Sequence, residues 1–383
     1  MVFPFRMPGV LYAGVGALDK LGPEVQRLGG DHVVVVTDKG LVKAGVVDSV
    51  LARLKEIGVA VTVFDEVEAE PSTENCEKAA SAVVAAGARL IVAVGGGSSL
   101  DVAKGSSILA AHGGKIADYF GIDKVPGPGL PWIGIPTTSG TGSEVTPNAI
   151  FTDKMQQLKI GVVSPYLLPT VAIVDPVLTL TVPPAVTAAT GIDALTHAIE
   201  SFTAPKATPQ TDLYALEAIR LISRSLRKAV WAGKDLQART DMAYGSLFAG
   251  VSLGNAGVGA VHALGYPLGG QFGVTHGVSM SLLLPYVMEF NMVADIEKFA
   301  RVAEAMGENV AGLSTRAAAA RAVEAVRTLS VDVGIPQRLR DVGIPESALD
   351  GLAEAAMKVT RLLDNNPRKV TLEDARALYQ AAY

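Results

Sequence analysis

The chain contains one cysteine, Cys76, in 383 residues. No intramolecular disulfide can form, which excludes a stapled secreted scaffold and makes a reducing compartment the natural setting. Long runs of Lys or Arg are missing, and 33 basic against 38 acidic residues leave a formal net charge of -5. Nucleic acid is therefore not expected as a partner, because a polyanion needs a basic patch. The first residues, MVFPFRMPGVLYAGVG, lack the charged region and apolar core of a signal peptide and are interrupted by Gly and Pro. The most apolar later stretch, Val278 to Val287, is too short for a bilayer and contains Pro285, so it reads as a buried helix. The expectation is a soluble cytoplasmic protein with no membrane partner. Fixed-period repeats, sustained heptads and low-complexity tails are also missing, which removes solenoid and coiled-coil architectures.

The residues present describe a folded α/β protein. Hydrophobic residues make up 49% of the chain and charged ones 19%, with 40 glycines and aromatics at 5%. The length exceeds one ordinary hydrophobic core, so two domains are expected. Through the first half, β-branched runs alternate with helix-length segments, the pattern of a mostly parallel sheet. His32 to Thr37 (HVVVVT) is the clearest strand, followed by a helix over Leu41 to Ile57 and a strand over Val59 to Phe64. Thr73 to Ala86 reads as a helix, Leu90 to Val94 as a strand, and the segment from Ser98 to about Ala111 as a helix. Gly113 to Pro131 has the Gly and Pro content of a surface connection. Strands follow at Ile133 to Pro136, Ala149 to Thr152 and Val171 to Val174. Pro183 and Pro184 then punctuate the chain, and Ala- and Leu-rich helical spacing takes over, as in Leu213 to Leu226 and Thr315 to Leu329. The expected architecture is an α/β nucleotide-binding domain over 1–183 and an all-helical metal-binding and catalytic domain over 184–383.

Two glycine-rich segments carry a nucleotide signal. In LIVAVGGGSSLD a buried strand, a glycine turn (Gly95, Gly96, Gly97, Ser98) and a helix start follow in direct succession. That order brings bare backbone and the positive end of a helix to one point, which suits a diphosphate; the plain alternative is a tight turn with Ser98 as N-cap. Pro136 to Glu144 (PTTSGTGSE) likewise follows a strand and clusters hydroxyls on flexible backbone. Two such loops at strand carboxyl ends favour a nucleotide. Asp38 lies just past HVVVVT, where a carboxylate can accept both hydroxyls of an adenosine ribose and would repel a 2′-phosphate, favouring NAD over NADP; the alternative is that Asp38-Lys39-Gly40 simply turns the chain.

Three of the five histidines lie in the helical half with Asp193. Asp193 and His197 stand four apart, so a helix projects both from one face. His262 and His276 sit beside small residues. Three imidazoles and a carboxylate suit Fe(II), Zn(II) or a similar divalent ion, although any single histidine is more often a satisfied core residue.

These segments together resemble the iron-containing (group III) alcohol dehydrogenase family, which includes lactaldehyde reductase and propanediol dehydrogenase. The resemblance spans nearly the whole chain. It is carried by Gly95 to Ser98 with Asp101 and Lys104, by Thr137 to Glu144, by Gly191 to Glu200, and by His262 to Gly269 with Thr275 to Gly277. It implies a two-domain fold with cofactor and metal facing one another. It also implies Asp193, His197, His262 and His276 as ligands of a divalent metal, Fe(II) with Zn(II) as the alternative. Asp38, Gly95, Gly96, Gly97, Ser98, Thr137, Thr138 and Leu180 fall where the family contacts NAD. Asp101 belongs to the same cofactor segment, and Lys159 matches a lysine kept nearby. The implied reaction is reversible hydride transfer between a small alcohol or aldehyde and NAD, with the metal polarising the substrate oxygen, in a homodimer or higher homo-oligomer.

The chain departs from the family at two places. Tyr266 stands four residues after His262 where many relatives carry a second histidine linked to proton transfer, so Tyr266, with His262, is the catalytic candidate. Glu70-Pro71 replaces an Asn-Pro. Leu253, Phe151 and Tyr266 are candidate pocket residues. Two other readings stay open: a zinc-dependent polyol dehydrogenase or dehydroquinate synthase-like enzyme, and an NAD-binding regulatory protein without catalysis.

Overall fold

The computed structural model describes residues 4–153 and 158–383. Its contacts divide into two compact units, one of Met1–Thr138 with Gly142–Thr181 and one of Ser139–Thr141 with Val182–Tyr383.

In the first unit, strands β1 (Val10–Ala13), β2 (His32–Val36), β3 (Ala60–Phe64), β4 (Leu90–Gly95), β6 (Trp132–Pro136) and β9 (Val171–Val174) form one sheet in the order β1-β9-β6-β4-β2-β3. Every pairing is parallel. A parallel sheet is covered on both faces, which is why its strands read as unbroken β-branched runs rather than alternating ones. In β2, Val34 and Val36 enter the core on one side with Ile91 and Ala93, while Val33 and Val35 enter the core on the other with Val92 and Val94. The covering helices are α1 (Leu21–Arg27), α2 (Lys39–Lys43), α3 (Val46–Glu56), α4 (Thr73–Ala85) and α5 (Gly97–His112). From β2 the chain moves outward to β3, then crosses back so that β4 lies on β2's other side. The direction of winding thus reverses between β2 and β4, and the carboxyl ends of these two strands flank the crevice where open α/β sheets hold ligands.

Three expectations from the sequence are corrected in this unit. The helix expected over Leu41 to Ile57 is two helices, because Gly45 takes a left-handed φ of 72° between α2 and α3. The connection expected over Gly113 to Pro131 contains a short strand, β5 (Gly121–Ile122), and buries Ile116 and Val125. That strand joins a second sheet with β7 (Asn148–Asp153) and β8 (Leu158–Val163), in the order β5-β8-β7. Phe151, a candidate pocket residue, is fully buried with Cys76 in the hydrophobic core, so it fills interior rather than lining a pocket.

The second unit is helical: α6 (Pro184–Thr203), α7 (Pro209–Trp231), α8 (Leu236–Ala256), α9 (Ala260–Phe272), α10 (His276–Asn291), α11 (Ile296–Ala305), α12 (Thr315–Asp332), α13 (Leu349–Ala356), α14 (Thr360–Leu363) and α15 (Leu372–Ala382). Its core is a single cluster in which α6 contributes Ile192, Leu195 and Ile199, and α10 contributes Leu282, Leu283 and Leu284. The apolar stretch at Val278 is longer than the sequence indicated. With the turn that follows α10 it runs from His276 to Ala294, long and apolar enough to cross a bilayer. Over half of that window is buried inside the protein, as befits the core helix of a bundle.

Candidate functional site

Helix α6 carries two of the four candidate ligands. Asp193 and His197 project from it one turn apart, 2% and 4% exposed. His262 lies in the first turn of α9, buried among Ala260, Val261, Ala263 and Leu264. His276 opens α10, whose first turn lies so close to α6 that a Cβ on Gly277 would sit 2.5 Å from the Ala189 carbonyl oxygen. Only glycine permits that approach. The structure thus gathers all four expected ligands, and one ligand atom from each falls within 4.8 Å of the others. Four tetrahedral ligands about 2.0–2.2 Å from an ion stand about 3.4 Å apart, so the set is close to that spacing and must draw inward to take one.

The imidazoles are oriented for ligation. His197 Nδ1 lies 3.3 Å from the Gly140 carbonyl and donates to it, which leaves Nε2 on the side of Asp193, 3.8 Å from its Oδ1. His276 Nε2 lies 3.6 Å from the same oxygen. Burial pushes the His197 pKa below its usual value, against the opposing pull of Asp193, and so favours the neutral ring that binds metal. His262 stacks on His197 with centroids 4.8 Å apart. Its Nε2 is buried with no hydrogen-bond partner among the described residues. A buried nitrogen in that state costs free energy unless something occupies its lone pair, and a divalent ion between Asp193 and the three rings does so. The residues therefore fit a metal. Tyr266, one turn beyond His262, sets its ring 6.5 Å from that of His262 and 6.2 Å from that of His276.

In the first unit, the expected cofactor residues collect at the carboxyl ends of adjacent strands. Asp38 follows β2, Gly96 and Gly97 follow β4, and Thr137 and Thr138 follow β6; Gly95 pairs with Pro136 in register. The N-cap of α5 is Gly96 rather than Ser98, and no side chain caps it. Ser98 instead donates to the Ala69 carbonyl at 2.6 Å. The amides that open α5 thus have no side-chain cap, an arrangement that suits an anion, and a Cβ on Gly96 would lie 3.4 Å from Thr138 Oγ1. Asp38 caps α2 through Oδ1, which accepts from Leu41 N–H at 3.0 Å, so the turn-forming role weighed for it is real. Leu180 ends the turn after β9. Lys159 on β8 pairs with Glu70, bringing together two positions singled out separately in the sequence.

Asp101 and Lys104 prove to be cross-links. Asp101 accepts from Ser143 Oγ at 2.6 Å and from Ile150 N–H at 2.9 Å. Lys104, fully buried, donates to Ser143 Oγ, Thr146 Oγ1 and the Asn148 carbonyl. Together they tie α5 to the segment after β6. Two residues stood inside segments singled out in the sequence but were given no role there. Glu144 is buried, and burial raises its carboxyl from 4.5 to about 7. Glu200 accepts from His262; its place three residues after His197 was the available signal.

A parallel sheet with a glycine-lined carboxyl edge and a helical unit with four convergent side chains able to hold a cation suit a metal-dependent oxidoreductase. The sequence comparisons narrow this. The iron-containing alcohol dehydrogenase family matches residues 8–176, and the C-terminal region of the Fe-containing alcohol dehydrogenase family matches residues 187–383. Long-chain-alcohol dehydrogenase 1 of Geobacillus thermodenitrificans is 49% identical over 379 residues, covering 98% of this chain and 95% of the relative. The crystal structure of a 1,3-propanediol oxidoreductase superposes with a TM-score of 0.98 at 44% identity, covering 100% of both chains. That of sulfoacetaldehyde reductase from Bifidobacterium kashiwanohense in complex with NAD+ superposes with a TM-score of 0.88 at 29% identity, covering 100% of this chain and 99% of that one. The chain belongs to the iron-containing alcohol dehydrogenase family, and it is an alcohol dehydrogenase.

Proposed function

We propose that the enzyme interconverts a small alcohol and its aldehyde or ketone, with NAD rather than NADP as hydride carrier and Fe(II) as its metal. The observation that carries the reading is the convergence of Asp193, His197, His262 and His276 onto one point, three of them buried. The bound ion supplies Lewis acidity that polarises a substrate oxygen, and NAD takes or gives the hydride.

The chain's own residues do the rest. Asp193 and His197 hold their place through α6, and His262 and His276 through the starts of α9 and α10. The free amides at the start of α5, with Gly95, Gly97, Thr137 and Thr138 around them, receive the cofactor diphosphate. Asp38 holds the adenosine ribose with the carboxylate oxygen that does not cap α2. Lys159 and Leu180 border the same cofactor, and Asp101 positions its loop. Tyr266 moves the substrate proton through its hydroxyl, in the position its ring takes beside His262 and His276. Leu253 packs partly buried against the helical core and helps shape the substrate pocket.

The lone buried Cys76 suits work in the cytoplasm, and a homodimer is the expected assembly. The test is NADH oxidation, followed by absorbance, with protein reconstituted with Fe(II) or Zn(II) and offered short aldehydes, ketones and keto acids. Metal-dependent consumption supports the reading. Metal and NAD binding without consumption across the panel overturns it.

A further inference from the structure

We propose that Glu200 is a positioning residue that locks His262 in the tautomer able to ligate the metal and fixes the start of helix α9 in the same act. The inference rests on His262 being a ligand.

Glu200 lies on α6 three residues after His197 and seven after Asp193, on the face that carries both, and is 5% exposed. Its two oxygens have separate partners. Oε2 accepts from His262 Nδ1 at 2.5 Å, and Oε1 accepts from Val261 N–H at 2.7 Å. A neutral imidazole carries one N–H. With that proton held on Nδ1 by Glu200, the Nε2 lone pair is free, and Nε2 is the buried atom left without a hydrogen-bond partner. A carboxylate behind a ligating histidine also fixes the orientation of the ring.

The second oxygen gives the contact its geometric force. The first amides of a helix lack intrahelical partners. In α9 they are met from elsewhere in the sequence: Val261 N–H by Glu200, and Ala260 N–H by Asn366 Oδ1 at 3.2 Å. Asn366 is itself held by a reciprocal pair of bonds with Asn291. Both side chains reach the helix end because Gly259 leaves room. A Cβ there would lie 2.9 Å from Asn366 Oδ1 and 3.4 Å from Glu200 Oε1. Helix α6 therefore supplies two ligands and also sets the rotation and tautomer of the third.

Glutamine fits the same space but cannot do both jobs. Its single acceptor oxygen serves either Val261 N–H or His262 Nδ1–H; an NH2 group turned on Val261 N–H sets donor against donor, so the oxygen stays on Val261 and the amide faces the ring. The ring must then shift its proton to Nε2, which blocks ligation. A purely structural role as a helix cap predicts lost stability alone, so the test reads the tautomer directly.

The experiment compares wild type, Glu200→Gln and Asn366→Ala as full-length proteins. Affinity for Zn(II) and Co(II) is measured by chelator competition, and the Co(II) absorption spectrum is recorded. The tautomers of metal-free protein come from 15N-histidine NMR, in which the chain's five histidines give few signals. Glu200→Gln is expected to weaken metal binding about 10- to 100-fold, to shift the His262 proton from Nδ1 to Nε2, and to leave NAD affinity unchanged. Asn366→Ala, which loosens α9 without touching the imidazole, should lower stability and keep the wild-type tautomer. Wild-type metal affinity and tautomer in Glu200→Gln overturn the proposal. If that variant does not fold, Glu200→Asp, which keeps two acceptor oxygens on a shorter arm, should retain the Nδ1–H tautomer with weaker metal binding; unchanged affinity there overturns the proposal equally. A wild-type protein that binds neither ion overturns the ligand assignment itself, whereas tight wild-type binding matched by the variant overturns only the role of Glu200.

Discussion

Lys159 and Glu70 form an ion pair in which the two ends are unequally solvated: the lysine side chain is 7% exposed and the glutamate 46%. Removing either partner therefore leaves the other in a different situation. Glu70→Gln strands an ammonium that water hardly reaches and should cost about 1–2 kcal/mol, discounted from the 3–5 of a fully buried pair. Lys159→Met strands a half-exposed carboxylate that water can solvate, at under about 1 kcal/mol. Urea unfolding of both single variants and the double variant checks this. Equal single costs, or a double variant as unstable as the sum of both, contradict the asymmetry.

His262→Ala removes one ligand and leaves the first unit untouched. The variant should lose its ion on dialysis, as read by elemental analysis, while binding NADH with wild-type affinity by fluorescence titration. With free metal at about 100 times Kd, the wild-type protein gains about 2.7 kcal/mol from it. That gain should vanish in the variant, so a metal-dependent rise in Tm that survives the substitution removes His262 from the centre.

Asp38 caps α2 with one oxygen and, in the proposed function, holds the ribose with the other. Asn keeps the cap and loses the charge; Ala loses both. Asp38→Asn should narrow the preference for NAD over NADP, measured as the ratio of kcat/KM values, with stability within about 0.5 kcal/mol. Asp38→Ala should narrow the preference as well and cost about 1 kcal/mol in addition. A cofactor ratio unchanged in both variants leaves Asp38 as a cap alone.

Glu144 gives a pH dependence of defined sign. Its folded carboxyl holds a proton to about pH 7, whereas the unfolded one releases it near 4.5. Between those values the folded state binds more protons, so the residue's contribution to stability falls as pH rises and levels off above 7. Glu144→Gln carries no such penalty. Relative to wild type it should gain on the order of 2–3 kcal/mol between pH 4.5 and 7.5, because each tenfold difference in proton affinity between the two states is worth about 1.4 kcal/mol. Chemical unfolding of both proteins at the two pH values checks it, and a constant difference rejects it.

Much of the fold is written locally. The run HVVVVT declares β2 because a strand covered on both faces has no polar alternation to hide it, and Pro184 marks the start of α6 because it fits a first helical turn. The break between α2 and α3 is hidden because Ala44-Gly45 interrupts an otherwise continuous apolar rhythm by one left-handed residue. Asp193 and His197 are legible as a pair since one helix turn joins them. His262 and His276 are not, because their meeting with α6 depends on how α9 and α10 pack, which no spacing along the chain encodes; there the family resemblance supplied what periodicity lacks. Glu200 shows the same boundary. Its face is readable from the helix period, but its two hydrogen bonds exist only once the start of α9 has been brought to it.

The clamp on α9 also sets an order in time. Asp193 and His197 are joined by His262 and His276 only after α7 and α8 have been made, and the start of α9 is held partly by Asn366, about a hundred residues further on. A chain made as far as α10 already owns every candidate ligand and Glu200 but lacks Asn366, the second of the two residues that hold the start of α9. The brace at the start of α9 is therefore complete only once the chain beyond α14 has been made.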